Sequence, residues 1–384
     1  MNEVEKCIEI LYKDKFGQLI SLILDRFRNL SIESAEDIVQ ESFAEAAERW
    51  SKQGIPENPA GWLFQTCKNK SINLLKKNSK TEDLSSAKMV SVAAEEISEH
   101  GFKDAQLQML MACCHPDLAP KMQVVLALKY VANLKVENIA LQLGAELDAI
   151  EKMLYRTRQK IKSEALILST NRDGYSAERL SIVHKVIYLI FNEGYKQSGK
   201  KISQGKVMCE DALILNKFLF DSSLCNSETK ALQALMLFNI ARFDARFDVN
   251  GDAIELEYQN RSFWNVSLIQ LAHRLLIESE DSSFCPYHLE AAIAWVHCAA
   301  QKFEETDWAA ICKYYDVLLK IYPSPFAEIN YAVALQYNHQ DEKAFSILME
   351  LHRNPYYNKM PILDISIRKY FERVTAQHGK HPSP

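Results

Sequence analysis

Along residues 4–77 apolar side chains return every three or four positions, the spacing that places them on one face of a helix. In AEDIVQESFAEAAERW (35–50), Ala35, Ile38, Val39, Phe43, Ala46, Ala47 and Trp50 form such a stripe. Glu36, Asp37, Gln40, Glu41, Glu45 and Glu48 occupy the other face. Ser31 or Ser34 would cap this helix, and Trp50 with Gly54-Ile55-Pro56 would end it. In ENPAGW, Asn58 is placed to cap a third helix with Pro59 at its first position. From there the chain turns basic, in TCKNKSINLLKKNSK.

Residues 78–100 are rich in Ser and Glu without an apolar stripe, which predicts a linker. Helical periodicity resumes at about Asp104 and runs to Ser163. From Asp173 a long series of amphipathic helices follows, broken at Gly199, Ser222-Ser223, Asn250-Gly251, Pro286, Pro323-Ser324-Pro325 and Pro355. Strand-like alternation is scarce, so the expected class is all-α. The expected domains are 1–78, a linker over 79–103, a second small module over 104–170, and a larger helical domain over 171–384. Within the last, DWAAICKYYDVLLKIYPSPFAEINYAVALQYNHQDEKAFSIL sets large residues (Trp308, Tyr315, Leu319) against small ones (Ala327, Ala332, Ala334), resembling a tetratricopeptide-like hairpin.

Composition narrows this picture. At 384 residues the chain expects two or three domains, and 48% hydrophobic with 25% charged residues is typical of a soluble globular protein. The net charge of −5 excludes an overall basic coat but not a local basic face. Nine cysteines without a repeated spacing read as reduced thiols in a cytoplasm. No run reaches membrane-spanning length, so no membrane is expected.

Two basic helices carry the candidate chemistry. On 59–77, Ala60, Leu63, Cys67 and Leu74 point inward, while Asn69, Lys70, Asn73, Lys76 and Lys77 share an exposed face. Lysines there suit phosphates, asparagines suit base edges, and Trp62 or Phe64 would stack on an unpaired base. A merely solvated lysine face is the alternative. Over 119–162, APKMQVVLALKYVAN precedes a short helix (KVENIALQL), Gly144 and a longer helix (LDAIEKMLYRTRQKIK). That is a helix-turn-helix pattern. Ile150, Leu154 and Ile161 would pack that last helix, leaving Lys152, Tyr155, Arg156, Gln159 and Lys162 outward with Arg158 and Lys160 at the flanks. A plain bundle with a basic last helix is the alternative. Glu146, Asp148 and Glu151 suit the helix dipole but would repel phosphate, which predicts weak binding or a preference for cytosine amino groups.

In this order the features resemble the extracytoplasmic-function group of sigma-70-type factors. AEDIVQESFAEAAERW…PENPAGWLFQTCKNKSINLLKK is similar to their region two, and 104–163 to region four. PENPAGWL, LMACCHPDLAP, YLIFNEGY and YPSPFAEINYAVAL resemble a subgroup with a long tetratricopeptide-related extension. The resemblance implies that Asp37, Gln40, Glu41 and Phe43 dock on core RNA polymerase. It implies that Lys68, Asn69, Lys70, Asn73, Lys76 and Lys77 hold the downstream promoter box, and that Lys152, Arg156, Arg158 and Lys160 read the upstream one. Against the family pattern, the recognition helix opens with AELDAIEK, and lysine stands at several positions where arginine is usual, losing bidentate guanine contacts.

Enzymatic signatures are missing. CCHP (Cys113, Cys114, His115) lacks a partner pair at zinc spacing, so no metal site is expected. His297-Cys298 lies in an apolar helix and is expected in the core, and Glu193 is expected to cap a helix end. YQNRSFW (258–264) is either a binding loop or a turn with Trp264 inward. The expectation is a sigma factor without enzymatic activity or cofactor, partnered by core RNA polymerase and promoter DNA, with a protein or small-molecule regulator at the extension. An autonomous helix-turn-helix regulator with a sensor domain, and an interaction scaffold, are the alternatives.

Overall fold

A computed structural model describes residues 2–79 except 28, 99–164, 166, and 176–378 except 198, 281–283, 356 and 359. Sixteen α-helices and no named strand occur among the described residues. The expected linker lies almost wholly outside them. The chain divides into two compact units: residues 1–196 with 206–218, and residues 197–205 with 219–384.

The first unit begins with α1 (Glu3–Arg26), α2 (Ile32–Gln53) and α3 (Pro59–Ser79), packed on one another. Their limits follow the sequence signals. The Ser31 hydroxyl accepts the Ser34 amide at 3.1 Å, and Gly54, at φ 85°, ends α2. Asn58 Oδ1 accepts the Gly61 amide at 2.9 Å, directly before Pro59. Next come α4 (Glu99–Cys113), α5 (Pro120–Tyr130), α6 (Val136–Leu143) and α7 (Leu147–Ser163). Gly144 lies in the left-handed region at φ 59°, where its amide reaches back to α6 and turns the chain into α7.

These helices do not form a separate body. α4 packs along α1, and α5 also reaches it. Gly17 of α1 lies against the end of α5 so closely that a Cβ there would fall 2.5 Å from the Val131 carbonyl oxygen and 2.9 Å from that of Tyr130. Both obstacles are backbone and cannot swing aside. Gly17→Ala is therefore expected to destabilise the unit by about 1–3 kcal/mol, since overpacking outweighs the roughly 1 kcal/mol helix-propensity gain. Denaturant unfolding measures it; a variant as stable as wild type would contradict the packing.

α8 (Ala177–Tyr195) packs against α5, and Lys206–Phe218 of α9 (Ile202–Phe220) belongs to the same unit. The expected domain limit at 170/171 thus falls ahead of the observed division. Glu193 receives the side-chain amides of Asn138 (3.0 Å) and Gln142 (2.8 Å), tying α8 to α6. Arg179 donates to the Met111 carbonyl at 2.8 Å. Cys113 and Cys114 are buried where α4 ends, and burial pushes the Cys114 thiol up to about 12.

The second unit contains α10 (Ser227–Ile240), α11 (Val266–Glu278), α12 (Pro286–Ala299), α13 (Trp308–Ile321), α14 (Pro325–Tyr337), α15 (Asp341–Arg353) and α16 (Pro361–His378). From α12 onward each helix packs on the next, and α14 also meets α16. Ile311, Ala332, Ala334, Leu335, Ala344, Leu348 and Leu363 form the shared core. The YQNRSFW stretch is a structural turn: Trp264 is buried, and Arg261 Nη1 donates to the carbonyls of His297 (2.7 Å) and Ala300 (2.6 Å) at the end of α12. Burial, helped by Arg242 and Arg261, lowers the His297 imidazole to about 3, so it is neutral in the fold.

Candidate nucleic-acid interface

The α2 periodicity turns Ala35, Ile38, Val39, Phe43, Ala46 and Trp50 into the core and leaves Asp37, Gln40 and Glu41 exposed together. Phe43 departs from its expected docking role. It is 4% exposed, with its ring 5.0 Å from Tyr12 and 6.3 Å from Phe16, so it fastens α2 to α1. The cause is its own register, since position 43 lies four residues after Val39 and three before Ala46 on the buried stripe.

On α3, Asn69, Asn73, Lys76 and Lys77 are exposed as expected. Lys68 is not: it is 6% exposed on the inward face with Phe64 and Ser71, where helical spacing puts it. Lys70 is half-buried, with its ammonium 3.3 Å from both Glu41 and Glu45 of α2. Burial acts against that charge, but the two carboxylates outweigh it and raise the Lys70 pKa. An open recess lined by Glu41, Ala44, Glu45, Glu48, Arg49 and Lys70 lies between the two helices. Trp62 is partly covered and forms a T-shaped pair with Trp50, ring centroids 5.5 Å apart, which braces the α2–α3 contact.

On α7, Ile150 and Leu154 are buried while Lys152, Tyr155, Arg156 and Gln159 are exposed; Tyr155 is 64% exposed. Lys152 pairs with Asp148 at 2.6 Å. Lys160 donates to the Asp117 carbonyl at 2.6 Å and stands 3.8 Å from Glu164. Arg158 departs furthest from expectation. Its Nε donates to the Tyr130 hydroxyl at 2.6 Å, and its Nη2 lies 3.3 Å from Glu36 of α2. Tyr130 donates to the same carboxylate at 3.2 Å, with Lys129 3.8 Å away. Glu36 is consequently 13% exposed and not on a solvated face. Burial first, then Glu36, hold the Tyr130 phenol far above its usual range. Sequence reasoning missed this cluster, because a lone carboxylate amid acidic neighbours carries no local mark of a partner 122 residues away.

Residues 14–81 match the family described as Sigma-70 region 2, and residues 179–280 match a family of unknown function, DUF6596. An uncharacterized protein, R00370, of Rhizobium meliloti (strain 1021) is 31% identical over 342 residues, covering 87% of this chain and 80% of that one. No solved structure matches the chain. With a likeness that spans most of both chains, this chain belongs to one family with the Rhizobium meliloti protein, and its region 2 marks it as a sigma-70-family factor.

Proposed function

We propose that the chain is a sigma factor of the extracytoplasmic-function type that binds core RNA polymerase and directs promoter recognition, melting and initiation. The observation that carries this reading is the pairing of α2 and α3. One helix offers Asp37, Gln40 and Glu41 to solvent, and its neighbour offers Asn69, Asn73, Lys76 and Lys77. Adjacent faces of opposite charge suit two different partners: a basic groove on polymerase, and the phosphates and exposed bases of the downstream promoter box. Trp62, partly exposed beside Trp50, supplies an aromatic ring for stacking on an unpaired base.

Residues 104–170, through the turn at Gly144 and the outward Lys152, Tyr155, Arg156 and Gln159, act as the region-four reader of the upstream box, with Arg158 and Lys160 joining once freed from their intramolecular partners. Residues 171–384 act as a tetratricopeptide-like regulatory extension that takes a protein or small-molecule regulator. The protein makes and breaks no covalent bond; binding energy within the holoenzyme drives melting, in the cytoplasm where polymerase works.

The test is reconstitution with purified bacterial core polymerase and the full-length chain. Co-elution on gel filtration is expected, together with transcription from a subset of a promoter library that core alone does not transcribe. If the chain neither co-elutes with core nor directs any new start site, the sigma reading fails.

A further inference from the structure

The segment Glu255-Leu256-Glu257-Tyr258, between α10 and α11, meets the last helix of the same unit. Glu255 pairs with Lys369 of α16 at 2.5 Å. Glu257 lies 3.6 Å from Arg373 of α16 and accepts the Tyr337 hydroxyl of α14 at 2.7 Å. The two sides match in spacing: Lys369 and Arg373 stand one helical turn apart, and alternate residues of the segment supply one carboxylate to each. The receiving side is built without help from the segment. Tyr337 is stacked on Trp308, with ring centroids 4.4 Å and planes 15° apart, and forms a T-shaped pair with Phe303. Arg373 lies 3.8 Å from the centre of the Tyr337 ring, donates to the Tyr337 hydroxyl, and reaches Gln336 Oε1 at 3.3 Å. Stacking and cation–π contact therefore hold the hydroxyl and the guanidinium in place whether or not a carboxylate is present.

The segment itself is lightly held. Leu256, Glu257 and Tyr258 form a single 3-10 turn with no buried residue, Tyr258 is 71% exposed, and the Glu255 side chain is half exposed. What ties it to α14 and α16 is its two carboxylates, and exposed ion pairs contribute little individually. A prebuilt pair of cations met by a segment that buries nothing is open to exchange with another segment of the same chemistry. We propose that the Tyr337–Lys369–Arg373 face is a docking site for an acidic protein segment with carboxylates at alternate positions, and that residues 255–257 are its resident occupant in the free chain. The site gives a chemistry to the partner of the extension, and on that point alone it rests on the regulatory reading above. The internal segment competes at an effective concentration on the order of millimolar, so a partner displaces it by contacts added beyond the two carboxylates.

The experiment measures binding of a fluorescein-labelled peptide to the full-length chain by fluorescence anisotropy at low salt, without polymerase. The peptide DAIELEYQ copies residues 252–259, and DAIQLQYQ lacks both glutamates. Glu255→Gln/Glu257→Gln keeps the shape of both side chains and withdraws the internal charges. This variant is expected to bind DAIELEYQ about three- to tenfold more tightly than wild type, because a competitor at millimolar effective concentration is gone. DAIQLQYQ should bind neither chain, and adding Lys369→Gln/Arg373→Gln to the variant should abolish the gain. A thermal melt accompanies each chain; if the double variant melts early, Glu257→Gln alone carries the same comparison with a gain of about twofold. The docking site is overturned if the emptied chain binds DAIELEYQ no tighter than wild type, if DAIQLQYQ binds as well, or if the gain survives loss of the two cations. The expected peptide binding by a chain that never binds core polymerase would remove the sigma reading and leave the docking site in place.

Discussion

Asp37→Lys/Glu41→Lys in the full-length chain is expected to abolish co-elution with core polymerase, weakening the complex by about a hundredfold or more. Both side chains are exposed on α2 and neither contributes to the buried stripe of Ala35, Ile38, Val39, Ala46 and Trp50. Reversal therefore leaves the α1–α2 packing intact, and lysine is a good helix former. What changes is the sign at the proposed docking face. Each site would lose an attraction and acquire a repulsion to a basic partner, so the two reversals together cost more than the deletion of one surface pair. Lys70 loses the Glu41 carboxylate but keeps Glu45 at 3.3 Å, so α3 stays anchored. The check is gel filtration with core at physiological salt beside a thermal melt. An unchanged melt with lost co-elution is the expected pattern; retained co-elution would move the polymerase contact away from this face.

Most of that site was legible because it rests on local physics. A period of 3.6, a serine cap, the Asn58-Pro59 start and Gly54 at positive φ each act within a few residues, and α2 and α3 lie where those signals put them. The same logic, applied strictly, would have excluded Phe43 and Lys68 as surface contacts, since both fall on buried registers. Family resemblance put them forward, and in the fold both lie on the buried faces of their helices. What local signals do not encode is pairing across the chain. Glu36 sits among acidic residues and Arg158 among basic ones, and each has the sequence signature of a solvated charge. Only the packing of α4 and α5 on α1 brings them together. A Ser- and Glu-rich stretch between the two modules likewise says nothing about whether the modules it joins associate. The turn at 258–264 was legible in part: Trp264 inward was one of two readings, but the capping of α12 by Arg261 depends on a helix end 36 residues away.

A chain cut at residue 170, the limit suggested by the sequence, is expected to lose the cooperative unfolding of its second module, whereas a chain ending at residue 220 should keep it. The reason is α8. Leu180, Val183, Val186, Ile187, Ile190 and Phe191 are all buried, and the helix lies on α5, the central support of α6 and α7. Six large apolar side chains at about 1.5–3 kcal/mol each represent on the order of 10 kcal/mol, as much as the whole stability of a typical domain. Removing them also bares the α5 face that they cover, and cuts the Glu193 links to Asn138 and Gln142 and the Arg179 link to Met111. The longer fragment retains α8 and the part of α9 whose Cys209, Ala212 and Leu215 are buried in the same unit. Calorimetry on the two fragments and the full chain checks this: a fragment 1–170 that melts as sharply and as high as 1–220 would show that α8 is dispensable. The outcome also decides how any deletion experiment on the extension is interpreted. If α8 belongs to the second module's own core, loss of activity on removing everything after 170 reports unfolding of that module, and a regulatory role for the extension is measured only with cuts placed beyond α9.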